Sequence, residues 1–171
     1  MSLEQDIHEW DGRSADAIAR VFETHHCSSD FACRLVHLAS DPTLERGATW
    51  LLKRGLESGR IRLEADSIEA FYKLFATASD WGAGLHLMQC VPHVPIPKSA
   101  DASVASLLDR SLTDRRAIVR AWAYWGYHEL ALVAPRYRNE AESLLLDAAE
   151  SETAASVRVR VRRALEARGL A

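Results

Sequence analysis

The sequence predicts an all-α protein built from repeated pairs of helices. Two observations carry this expectation. Apolar residues recur at helical spacing along the chain, and no segment alternates with period two over a useful length. Four acidic residues, Asp41, Asp80, Asp114 and Glu152, are separated by 39, 34 and 38 residues, and each sits between one amphipathic helix and the next. A period of roughly 40 residues is that of a helix-pair array. One such pair cannot bury its own apolar face, but a stack of pairs can.

The elements follow in order. Leu3, Ile7 and Trp10 form one stripe of a short helix that Asp11-Gly12 breaks. Ser14 is placed to cap a second helix reaching His25, and these two form an N-terminal cap over 1–26. The first pair, 28–57, takes Ser28 or Ser29 as its opening cap and Asp41-Pro42 as its restart. There the Asp side chain can accept from free N–H groups, and Pro at the first helical position loses no bonded donor. The second pair spans 66–91, opening at Asp66 and Glu69 with capping-box-like spacing. Pro92, Pro95 and Pro97 make a stiff loop. The third pair spans 99–133 with Asp114 as its inner cap. The fourth spans 139–168, with Asn139 and Glu142 at its start, Glu152 inside and Gly169 at its end. The whole chain reads as one domain of about four pairs plus the N-terminal helices.

Composition sets limits. The 171 residues suffice for one real core. Formal charge is −3, with 10 Lys/Arg against 14 Asp/Glu in residues 1–100 and 11 against 10 in 101–171. That balance is too mild to indicate bulk nucleic-acid or membrane binding. The acidic start Ser2-Leu3-Glu4-Gln5-Asp6 lacks the apolar core of a signal peptide, and no apolar run approaches the roughly 18 residues of a membrane span. Three cysteines without framework spacing fit free thiols in a reducing compartment, so a cytoplasmic location is expected.

The last two repeats share a finer pattern. Asp114 is followed by Val119-Arg120, and Glu152 by Val157-Arg158. On these residues the chain resembles the HEAT-repeat family, whose repeats carry an Asp at the inter-helix turn and a Val-Arg pair shortly after. The resemblance covers 28–168 in outline and implies a right-handed α-α superhelix, a HEAT-like solenoid. It further implies Asp–Arg pairing between neighbouring repeats and a concave face lined by the second helix of each pair. At the position of Arg120, the second repeat carries His86 and the first Gly47.

The 114–133 segment is apolar on two sides, which leaves Arg116, Arg120, Tyr124 and Tyr127 as its polar stripe. The repeat offsets map this stripe onto His86, Cys90 and His93 in one neighbour and onto Arg158, Arg162 and Leu165 in the other. The expected partner-binding residues are therefore Arg116, Arg120, Tyr124, Tyr127, Arg158, Arg162 and His86, because Arg and Tyr are enriched at binding hot spots. The same residues also fit a packing role, with Arg120 and Arg158 paired to Asp114 and Glu152. The tryptophans, falling on apolar stripes, are expected inside.

Two clusters have metal-like composition: His86, Cys90 and His93, and Cys33 with His37 beside His25, His26 and Cys27. Neither has a known finger spacing, and no metal or cofactor is expected. No phosphate-binding glycine loop, nucleophile elbow or His-Glu-x-x-His pattern occurs. The expected function is a non-catalytic interaction module taking an acidic protein segment or anion. An alternative follows from a second resemblance, to HEAT-like alkylation-repair DNA glycosylases, carried by Trp125-x-x-x-Glu129, with Glu where that family has Asp. A helper or lyase-like HEAT subunit is the remaining alternative.

Overall fold

The computed structural model describes residues 2–170, and among these every regular element is a helix. Contacts group the chain into two compact units, Met1–Pro95 and Ile96–Ala171.

The first unit contains α1 (Leu3–His8), α2 (Ala15–His25), α3 (Phe31–Leu38), α4 (Glu45–Glu57), α5 (Ala65–Thr77) and α6 (Trp81–Cys90). Helix α4 is its centre and packs against α6, α3, α2 and α1. It can do so because its apolar residues Ala48, Leu51, Leu52 and Leu56 are all buried, and Gly47 and Gly55 leave room for Ile7 and Ile61. Gly59 ends α4 at a φ of +68°, which L side chains adopt at a cost. His25 Nε2 meets Asp6 Oδ2 at 2.6 Å and ties α2 back to α1.

The second unit contains α7 (Asp101–Leu112), α8 (Ala117–Val133), α9 (Arg138–Ser151) and α10 (Ala155–Ala167). Helix α8 is flanked by α7, α9 and α10. Gly126 admits the buried Leu108 of α7 so closely that an added Cβ would lie 2.4 Å from its Cδ2. On the other side, Ala121 joins Leu145, Ala148, Val157, Val161, Ala164 and Leu165 in one core. This explains the two apolar stripes of α8, since a helix wedged between neighbours has two faces to bury.

The turns depart from the expected caps in instructive ways. Ser14 Oγ accepts from the Ala17 N–H at 3.1 Å, and Asp80 Oδ1 from the Ala83 N–H at 3.0 Å, so both are N-caps as expected. Asp41 instead accepts from the Thr43 N–H at 2.8 Å and the Thr43 hydroxyl at 2.7 Å, which folds 41–44 into a turn and delays α4 to Glu45. Asp114 accepts from the Arg116 N–H at 2.7 Å, and α8 begins one residue later. Glu152 accepts from the N–H groups of Thr153 and Ala154, both at 3.1 Å, ahead of α10. Asp66 and Asn139 lie within the first turns of α5 and α9 rather than capping them, and Asp30, not Ser28 or Ser29, precedes α3.

Candidate binding surfaces

Of the seven expected contact residues, six lie in the second unit and His86 lies in the first. Arg116 precedes α8, with its Nη1 3.3 Å from Asp114 Oδ1. Arg120 makes a fork with Glu152: its Nε and Nη2 donate to the two carboxylate oxygens at 2.9 Å each, and its Nη1 donates to the Asp114 carbonyl at 2.9 Å. The Arg120 hydrogen bonds hold the Glu152 carboxyl down to about 2. Tyr124 is half-buried against the α8–α10 core, and that burial raises its hydroxyl pKa.

Tyr127 corrects the expectation most sharply. It is 0% exposed, and its hydroxyl donates to Asp109 at the end of α7. Burial first, and Asp109 second, push its pKa up. Its position turns it towards α7, so it packs the core of the second unit.

His86 is half-buried in the first unit. Thr49 Oγ1 donates to the Glu45 carbonyl at 2.7 Å, which leaves it to accept from His86 Nδ1 at 3.1 Å. Burial, and then the Lys53 charge, hold the His86 pKa down to about 3, so the ring is neutral and is no cationic contact. Its expected companion Cys90 is wholly buried, which pushes its thiol pKa up, and His93 is exposed beyond the helix. Among the described residues no three His, Cys, Asp or Glu side chains converge as metal ligands.

Arg158 and Arg162 are the two members of the stripe left open. Both are exposed on α10, one turn apart. Arg158 has no carboxylate within ion-pair distance among the described residues, and Arg162 has only Glu166 at 3.7 Å, with both side chains more than half exposed. They border a depression of about 430 Å³ whose apolar floor is Ala149, Ala155, Val159 and Leu165.

Sequence reasoning missed two features. The first is Arg160, on the opposite flank of α10, whose guanidinium lies 3.9 Å from the centre of the Trp122 ring and 5.6 Å from that of Trp125. Burial, then the neighbouring Arg163, lowers its pKa. The signal was present, since the offset of 38 that aligns the last two repeats carries Trp122 onto Arg160. The second is a small aromatic cleft of about 200 Å³ in the first unit, with Trp10, Trp50 and Trp81 around His86 and Arg46. All five tryptophans thus lie at the margin: Trp81 is 40% exposed and the other four are half-buried, whereas Tyr72 and Tyr127 fill the cores.

A second fork mirrors that of Arg120. Arg46 Nε and Nη2 donate to Asp80 Oδ1 and Oδ2 at 2.8 and 2.7 Å across 34 residues. Arg46 stands one position before Gly47, the residue that the expected repeat spacing places opposite Arg120. No helix among the described residues is long and apolar enough to cross a membrane. No family model, curated protein or solved structure matches the chain.

Proposed function

We propose that this chain is a non-catalytic HEAT-like interaction module whose last helix receives an acidic segment of a partner protein. The observation that carries the reading is the pair Arg158 and Arg162, exposed and one turn apart, beside an apolar depression of about 430 Å³. A segment presenting two carboxylates around one apolar side chain satisfies both features. The guanidinium groups supply forked donors, and the depression takes the apolar group. Arg160 and Arg163 extend the positive field along α10, which holds four Arg and one Glu. The forks Arg46–Asp80 and Arg120–Glu152 support the HEAT-like part, since each joins a second helix to the acidic turn that follows it.

The alkylation-repair reading has less support. A base-stacking role needs an open indole face, and Trp125 is engaged by Arg160 and by the His128 ring at 4.9 Å.

The test is titration of a fluorescent Asp/Glu-rich peptide containing one Leu or Phe. Binding should weaken with salt and fall at least about tenfold in Arg158→Glu/Arg162→Glu, while stability changes by no more than about 1 kcal/mol, as for exposed sites. Equal binding by the variant removes the basis of the proposal.

A further inference from the structure

A cluster outside these surfaces carries chemistry that the interaction reading does not use. It lies in the first unit where α2 ends and α3 begins. Cys27 is exposed there, and its Sγ stands 3.5 Å from His26 Nε2. The other ring nitrogen, His26 Nδ1, lies 3.1 Å from the Phe22 carbonyl. A carbonyl can only accept, so Nδ1 carries the proton and the lone pair of Nε2 faces the thiol. The ring is held in that orientation by stacking on Phe22, with centroids 5.0 Å apart and planes 12° from parallel. Nucleophile, base and orienting carbonyl thus follow one another at contact distance, the arrangement by which a neighbouring base can take a thiol proton.

The pair opens on a pocket of about 590 Å³, lined by Ser29, Phe31, Arg60 and Arg62 as well as by His26 and Cys27. That volume lies within the range of about 300–1,000 Å³ typical of small-molecule sites. Its charges are unequal. Arg60 is committed to Glu23 through two contacts of 2.8 Å, and Asp30 is engaged by the Ser28 hydroxyl and by Arg34. Arg62 is exposed and has no ion-pair partner among the described residues, which leaves a cation at the rim.

We propose that Cys27 and His26 form a thiol–disulfide exchange site for a small disulfide bearing carboxylates, of the glutathione type. The Cys27 proton passes to His26 Nε2, and the thiolate attacks one sulfur of the bound disulfide. A bond forms between Sγ and that sulfur while the disulfide bond breaks. The departing thiolate takes the proton back from His26, so one protein thiol and one disulfide give one mixed disulfide and one small thiol. Arg62 pairs with a ligand carboxylate during the encounter. Cys33, also exposed and with no ring nitrogen hydrogen-bonded to it among the described residues, is an internal reference in the same molecule.

The experiment treats the reduced full chain with oxidised glutathione, quenches by acid and alkylation, and reads the adduct at each cysteine by peptide mass spectrometry. Cys27 should acquire the tripeptide at least about tenfold faster than Cys33, consistent with the usual gain from a positioned base. The ratio of the two rates should collapse towards one in His26→Gln, and dithiothreitol should remove the adduct. Arg62→Glu should slow the reaction with oxidised glutathione but not with the cationic disulfide cystamine. Equal rates at the two cysteines, or an unchanged ratio in His26→Gln, overturn the exchange site. Indifference of both disulfides to Arg62→Glu overturns its anionic specificity.

Discussion

Arg120 and Glu152, 32 residues apart, are joined by two parallel hydrogen bonds of 2.9 Å. Their side chains are only 19% and 10% exposed, so this is no ordinary surface pair. Arg120→Ala should cost about 2–3 kcal/mol, the range for charge-assisted bonds lost at a partly buried site. Arg120→Lys should recover little, because a point charge cannot reproduce the fork. Urea denaturation of the single and double variants would show the coupling as a departure from additivity. The Glu152 carboxyl has a folded-state pKa of about 2 against the usual 4.5. Its contribution is therefore fully present above pH 4.5 and is lost as pH falls towards 2.

Asp80 does two jobs that substitution can separate. It caps α6 through the Ala83 N–H and pairs with Arg46. Asp80→Asn keeps a good cap and loses the ion pair, whereas Asp80→Ala loses both. The alanine variant should be the less stable by about 1 kcal/mol, the usual worth of an N-cap. Thermal melts of the two variants would check the order.

His86 makes stability depend on mild acid. Its folded pKa of about 3 lies below the ordinary 6.5, so the unfolded chain takes up a proton that the folded chain refuses. Stability from this group is complete above about pH 6.5 and falls by about 1.4 kcal/mol per pH unit below it. His128, whose pKa burial and then Arg168 also lower, acts in the same direction. The decisive measurement is the difference between wild type and His86→Gln across pH 7 to 5. That difference should shrink by roughly 2 kcal/mol over the interval.

Tyr127 tests whether α8 presents or packs its tyrosines. Loss of the hydroxyl in Tyr127→Phe should cost about 1.5–3 kcal/mol, the range for a hydrogen bond to a carboxylate. Tyr127→Ala should cost about 3–5 kcal/mol, as for other buried aromatic side chains. Partner binding by folded Tyr127→Phe should equal that of the wild type, measured with the same acidic peptide.

Helix content and the turn positions were legible in the sequence because apolar periodicity and Gly, Pro and Asp punctuation are local signals. The all-helical character predicted from them is what the structure has. Orientation within a helix was less legible. Helix α8 has apolar residues around most of its circumference, so period alone could not say whether tyrosines or tryptophans face outward. The decision came from tertiary neighbours: Gly126 lets α7 in close, which draws Tyr127 inward and leaves Trp122 beside Arg160. Arg46 was missed for a related reason, since a shift of one residue in α4 defeats a fixed repeat offset. The open pair Arg158 and Arg162 was readable because Val157 and Val161, four positions apart, share the buried face of α10 and the arginine after each falls on its exposed flank.

Glu45 is 4% exposed, yet it carries a carboxylate. From the start of α4 it accepts from the Ser79 N–H at 3.2 Å, the Ser79 hydroxyl at 2.7 Å and the Asp80 N–H at 2.5 Å, all at the turn before α6. The backbone donors of that turn are thus satisfied by a residue more than thirty positions earlier, not by their own neighbours. A fragment beginning after α4 would leave those donors to water and lose the Arg46 contact as well. Helix α6 is therefore conditional on α4, and the first unit should melt as a single cooperative block, its amides exchanging with solvent together rather than helix pair by helix pair.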